Sequence, residues 1–219
     1  TAGVNRRAVA ELALGFALTL IRRVPTSLAL VSGGEWRQVT GRQLSGRTVG
    51  IIGLGNVGKD LAGLLRAFDC RILAHDIHTD DNFCARVGVE MTGLDQLLSD
   101  SEVISIHLPL DDSTRGMIGA NQLARMRDGA ILINTARGNL VDEAALAAEL
   151  GSGRLGAGAF DVFAAEPPEN NALIGLDAFL ATPHIGGSTE EAILAMGLAA
   201  IEGLDNAGDP ITVARGNRP

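Results

Sequence analysis

The sequence predicts an α/β protein built on a doubly wound parallel sheet, and three observations carry that prediction. From Thr48 onward, short apolar runs alternate with segments of helical periodicity. Those runs are continuously apolar rather than alternating, as in strands buried on both faces. A G-x-G-x-x-G pattern, Gly53, Gly55 and Gly58, stands where the first run meets the helix after it. About seven strands result, in one domain covering residues 1–219 and preceded by a long helix.

That helix is expected over residues 8–21, an apolar stretch flanked by arginines. The stretch contains Glu11, is too short to span a bilayer and lacks a small-residue cleavage site, so neither a membrane anchor nor a secretion signal is expected. A helix apolar on most faces is buried in a core or a subunit interface; the interface is expected here, as part of a homodimer. Residues 31–43, with two adjacent glycines and the only Trp, are expected to be a loop. Strands are placed at 48–53, 71–76, 88–91, 103–109, 130–136, 156–163 and 178–183, with Pro109 ending the fourth. Helices are placed at 57–68, at 94–98, at 121–126 with Asn121 as N-cap, at 142–150 and at 189–205.

The net charge is -8, and no Lys/Arg cluster interleaves with aromatic residues, so no nucleic-acid surface is expected. Cys70 heads an apolar run and Cys84 is expected in a polar loop; two cysteines make no disulfide framework and show no metal spacing. A reducing cytoplasm fits, with no metal.

The glycine pattern has the context of a dinucleotide site. Gly53 permits the tight turn, Gly55 lets a pyrophosphate approach the backbone, and Gly58 lets helix and strand pack closely. The N–H groups near Asn56 and Val57 are expected to face the phosphates. Asp76 ends the second strand, 23 residues after Gly53, where a carboxylate accepts ribose hydroxyls and repels a 2′-phosphate; NAD is favoured over NADP.

In a doubly wound sheet ligands bind outside the carboxyl ends of the strands. The polar residues just past those ends are Arg137, Asp161, Glu166 and His184. Each alone has a structural role open to it, as a surface ion pair, a turn residue or a loop charge. Together they suit a reaction on a 2-keto or 2-hydroxy acid. An Arg fork holds a carboxylate, a His passes a proton near neutral pH, and a Glu fixes the tautomer of that His.

The chain resembles the D-isomer-specific 2-hydroxyacid dehydrogenases in GRTVGIIGLGNVG, HLPLDDSTRGMI, INTARGNLVDEAAL, FDVFAAEPP and TPHIGGSTEEA, together with VNRRAVAELALGFAL at its start. The resemblance implies a Rossmann domain with sheet order 3-2-1-4-5-6-7. It implies that Arg137 binds the substrate carboxylate and carbonyl, that His184 is the acid/base and that Glu166 is its partner. Asp161 would hold the nicotinamide carboxamide. Leu108, Pro109 and Thr114 would line the cofactor cleft, Thr135 and Ala136 would touch the nicotinamide end, and Gly186 would sit beside it. The GGSTEEA ending looks most like the phosphoglycerate enzymes of this family, with hydroxypyruvate and glyoxylate reductases close to it. Non-enzymatic NAD-sensing relatives and a ligand-free structural domain are the alternatives. The family's substrate domain is not in this sequence, and residues from about 205 to 219 would return to it. The chain is therefore expected to bind NAD(H) and to turn over little alone.

Overall fold

The computed structural model describes residues 3–205. The segment expected to return to a substrate domain lies, beyond Asp205, outside the described residues. Seven parallel strands form one sheet: β1 (Thr48–Ile52), β2 (Arg71–His75), β3 (Val89–Met91), β4 (Val103–Ile106), β5 (Ile131–Asn134), β6 (Ala157–Phe160) and β7 (Phe179–Ala181). Their order is β3-β2-β1-β4-β5-β6-β7, as the resemblance implied. The strand order reverses between β1 and β4, the switch point at whose carboxyl end such sheets bind their ligands.

Among the described residues there are eight α-helices: α1 (Arg6–Ile21), α2 (Val24–Ser32), α3 (Asn56–Leu65), α4 (Asp81–Val87), α5 (Leu94–Asp100), α6 (Ala120–Arg125), α7 (Glu143–Gly151) and α8 (Glu190–Asp205). The side-chain period of two divides each central strand between two cores. Val49, Ile51, Val103 and Ile133 face the layer of α1 and α3, while Ile52, Ile104, Ile106 and Leu132 face the layer of α5, α6 and α7. Each fully buried Ile or Leu contributes about 1.5–3 kcal/mol, so these strand residues dominate the stability.

The N-terminal helix turns its apolar stripe inward. Val9, Ala10, Ala13, Phe16, Ala17, Leu20 and Ile21 are buried against this domain's own core, which accounts for most of its hydrophobicity. Among the described residues no single helix is long and apolar enough to cross a membrane.

Three local expectations are corrected. Part of the loop expected over 31–43 is the end of α2, a helix opened by a proline in its first turn whose apolar residues Val24, Leu28 and Val31 stay exposed. Cys84 is a buried residue of α4 rather than part of a polar loop; Asp80 caps that helix by accepting the Phe83 N–H, and Gly88 closes it at φ 79°. Asn121 is not an N-cap, because α6 starts at Ala120 and its cap position is Gly119, with no side-chain bond. The expected strands also overran the ladder. Residues just past β5 and β6, such as Thr135, Ala136, Asp161 and Val162, stay buried beyond the last strand pairing, so burial alone does not mark the strand ends.

Candidate functional site

The β1–α3 turn is shaped by missing side chains. A Cβ on Gly53, which sits at φ 97°, would lie 2.7 Å from His107 O, and one on Gly58 would lie 2.1 Å from Gly53 O. Gly55 has nothing within 4 Å of its Cβ position, which leaves an open approach to the backbone. Gly55 is also the cap residue of α3, and no side chain bonds to the first-turn amides of Asn56 and Val57. That helix end is open to an anion.

Asp76 lies at the end of β2 as expected, but its carboxylate also serves the loop. Oδ2 accepts the Leu54 N–H at 2.6 Å and Oδ1 the His78 N–H at 2.8 Å. Past β4, Leu108 touches the phosphate turn: its Cδ2 would be 3.0 Å from a Gly53 Cβ. Thr114 folds the same segment back, donating to Pro109 O at 2.7 Å and accepting the Asp111 N–H at 2.9 Å. Between these groups lies His107, which sequence reasoning passed over. Its Nε2 meets Ser105 Oγ at 2.9 Å, its Nδ1 is enclosed without a partner, and burial drops its pKa to about 4. The signal was available, since a polar residue there interrupts an apolar run.

At the end of β5, Thr135 and Ala136 are buried. The Asn134 side chain builds the turn after them, accepting the Ala136 N–H at 3.1 Å and donating to Arg137 O at 2.9 Å. This turn carries Arg137 into the open, where its Nη1 donates to Ala136 O at 2.6 Å. Thr135 Oγ1 is enclosed and without a partner among the described residues.

The acid–base pair lies past β6 and β7. Glu166 Oε2 and His184 Nδ1 are 2.8 Å apart, and Glu166 Oε1 accepts the Phe163 N–H at 3.0 Å. The hydrogen bond from His184, helped by the Phe163 N–H and by Arg137, holds the Glu166 carboxyl below its ordinary range despite some desolvation. An ionised carboxylate only accepts, so His184 Nδ1 carries the proton and Nε2 is left for other work. Beside the pair is a cavity of about 400 Å³ walled by Phe163, Pro168, Ile174 and Pro183.

Asp161 is 1% exposed and is committed to the His184 loop. Its Oδ1 accepts Thr182 Oγ1–H at 2.6 Å and the Ile185 N–H at 2.7 Å, and its Oδ2 accepts the Gly186 N–H at 2.7 Å. Its carbonyl accepts the His184 N–H at 2.9 Å. These bonds hold His184 at φ 55°, a left-handed conformation that costs a non-glycine residue about 1–3 kcal/mol. One lone pair of Oδ2 is left over.

The donors and openings fit a dinucleotide: an uncapped helix end, a turn that only glycine fits, a carboxylate at the end of β2 and an orphaned hydroxyl near the end of β5. A family model described as D-isomer specific 2-hydroxyacid dehydrogenase, NAD binding domain, matches residues 14–186. The chain belongs to this family. Its cofactor is NAD. The hydroxypyruvate reductase of Thermotoga maritima is 40% identical over 92% of this chain and 67% of its own length. The D-3-phosphoglycerate dehydrogenase of Archaeoglobus fulgidus is 39% identical over 93% of this chain, but only 39% of its own length. A glyoxylate reductase structure from Paecilomyes thermophila superposes with a TM-score of 0.87 at 33% identity, covering 94% of this chain and 63% of that one. The chain thus spans between about two fifths and two thirds of the length of these relatives.

Proposed function

We propose that this domain serves an NAD-dependent enzyme that interconverts a 2-hydroxy acid and its 2-keto acid, with a substrate of the phosphoglycerate kind. The observation that carries the reading is the 2.8 Å contact of His184 Nδ1 with Glu166, on the rim that also bears Arg137. The GGSTEEA ending and the Archaeoglobus relative support the phosphoglycerate assignment. Hydroxypyruvate or glyoxylate reduction is the second reading, supported by the Thermotoga relative. All these substrates share a carboxylate beside the reacting carbon.

The nicotinamide, when bound, exchanges a hydride with that carbon. Arg137 binds the carboxylate and polarises the carbonyl through its planar fork. His184 gives the carbonyl oxygen its proton from Nε2 during reduction, or takes it from the hydroxyl during oxidation. Glu166 fixes the tautomer and stabilises the imidazolium. Gly53, Gly55, Asn56, Val57 and Gly58 cradle the pyrophosphate, and Asp76 takes the adenosine ribose. Leu108, Pro109 and Thr114 line the cleft. Thr135, Ala136, Gly186 and the last lone pair of Asp161 serve the nicotinamide end.

The protein partner in this reading is a second copy. The apolar surface of α2 supports it: Val24, Leu28 and Val31 are exposed, and Trp36 just beyond is 93% exposed. A mass in solution equal to one chain would refute the dimer. The two free cysteines agree with a cytoplasmic setting.

The deciding experiment is His184→Ala in the natural full-length protein. Turnover of 2-keto acids should fall by about 10²–10⁴ with NADH binding retained; unchanged turnover refutes the role of His184. A wild-type protein that binds NADH but turns over no 2-keto acid would instead be an NAD sensor.

A further inference from the structure

We infer that Glu143 is a positioning residue for the acid–base pair, because its carboxylate grips both feet of the arch that carries Glu166. The inference rests on the roles proposed above for Glu166 and His184.

Between β6 and β7 the chain leaves the core after Phe163 and re-enters it at Leu173. Residues 164–167, 169 and 170 are exposed, and a cavity of about 360 Å³ lies under them, lined by Glu143, Ala144, Ala164, Ala165, Pro168 and Asn171 among others. A segment with so little apolar burial must offset about 1–2 kcal/mol of backbone entropy per ordered residue by other means. Polar ties are what remain.

Glu143 supplies two of them. Its Oε1 accepts the Ala164 N–H at 2.8 Å, and its Oε2 accepts Asn171 Nδ2–H at 2.5 Å. Asn171 passes the tie to the core, since its Oδ1 accepts the N–H of buried Leu173 at 2.9 Å. The Glu143 carboxylate is not needed by its own helix: Asp142 caps α7, accepting the Ala145 N–H at 3.0 Å. The other tie at the first foot is weaker, a 3.5 Å contact from Asn139 Nδ2 to Ala164 O. Ala164 adjoins Phe163, whose N–H bonds to Glu166 Oε1. Moving this foot therefore moves both the backbone that bears Glu166 and one partner of its carboxylate. The charged groups acting on Glu166 are His184 and, more weakly, Arg137; Glu143 reaches it through the main chain.

The test compares Glu143→Ala and Glu143→Gln in the natural full-length protein. The Glu166 carboxyl titration is followed by ¹³C NMR, and NADH affinity by fluorescence. In Glu143→Ala the depressed titration should rise toward the ordinary carboxylate value, and turnover should fall about tenfold or more. NADH affinity should stay within about threefold, because no cofactor contact is touched. Glu143→Gln keeps one oxygen for the Ala164 N–H but turns a donor toward Asn171 Nδ2–H, whose amide is fixed by Leu173, so its loss of turnover should be smaller than that of Glu143→Ala. In a Glu166→Gln background, Glu143→Ala should add less than about threefold, since two changes acting through one group are not additive. An unmoved Glu166 titration, or full additivity, overturns the inference. Should Glu143→Ala fail to fold, Asn171→Ala removes one foot alone; no movement of the titration there overturns it as well. Failure of the catalytic reading looks different: His184→Ala would leave turnover intact while Glu166 still responded to Glu143.

Discussion

The two ends of the carboxyl rim are built on opposite principles. The phosphate end lies within residues 53–76 and is made of backbone, with Gly53, Leu54 and Gly58 buried and shaped by the absence of Cβ atoms. The acid–base end draws Asp142 and Glu143 from the start of α7, Asp161 and Glu166 from the segment after β6 and His184 from the segment after β7, and the side chains of Glu166 and His184 are 39% and 52% exposed. The first end depends on shape and fails when an atom is added. The second depends on hydrogen bonds and fails when one is removed. A turn that receives a pyrophosphate can be set by shape alone, whereas an acid–base pair needs bonded partners to fix its tautomer and reach.

Gly58→Ala should be the most damaging change at the phosphate end. Its Cβ would meet Gly53 O at 2.1 Å, so an overpacking loss of about 1–3 kcal/mol is expected in urea unfolding. NADH affinity should fall by about 100-fold or more, because pushing α3 off β1 displaces the helix end that faces the pyrophosphate. Normal NADH binding by this variant would break the contrast.

His107 lies between the ends and should make the fold acid-sensitive. Its pKa is lowered by burial from 6.5 to about 4. The unfolded chain therefore takes up a proton near pH 6.5 that the folded chain refuses until about pH 4. Stability is complete above pH 6.5 and falls through that window, by up to about 3 kcal/mol. Urea midpoints measured across the window should drop for the wild type and less for His107→Gln; identical slopes would count against the buried neutral imidazole.

Asp161→Asn is the mildest and most discriminating change. The amide would turn a donor toward the Ile185 or Gly186 N–H, releasing the His184 loop. Turnover should drop about 10- to 100-fold from misplacement, with a smaller loss of NADH affinity. A larger loss in NADH affinity than in turnover would move Asp161 to the cofactor end of the comparison.

Much of this was readable in order along the chain. Continuous apolar runs located the central strands, the third strand with its Glu90 was placed without one, and the glycine spacing located the phosphate turn. Helices α2 and α4 are less legible because they are short, nine and seven residues, and bury little: α2 nothing and α4 only Cys84. Arg137, Glu166 and His184 were chosen from their positions after strands, and the fold brings Glu166 and His184 into contact. The supporting bonds of Asp161 and Glu143 were not foreseen, since each reaches 21 or more residues along the chain.

The sequence by itself determined the class of fold, the strand positions, the phosphate turn and the residue types at the rim. All of these follow from local steric and hydrophobic rules that act over a few residues. Tertiary structure alone decided which lone pairs each carboxylate spends and on whom. Asp161 is committed to the His184 loop, Glu143 to the arch of Glu166, and Asp76 to the turn it follows. Hydrogen bonds are short-ranged and directional, so their partners exist only once the sheet order has set distant loops side by side.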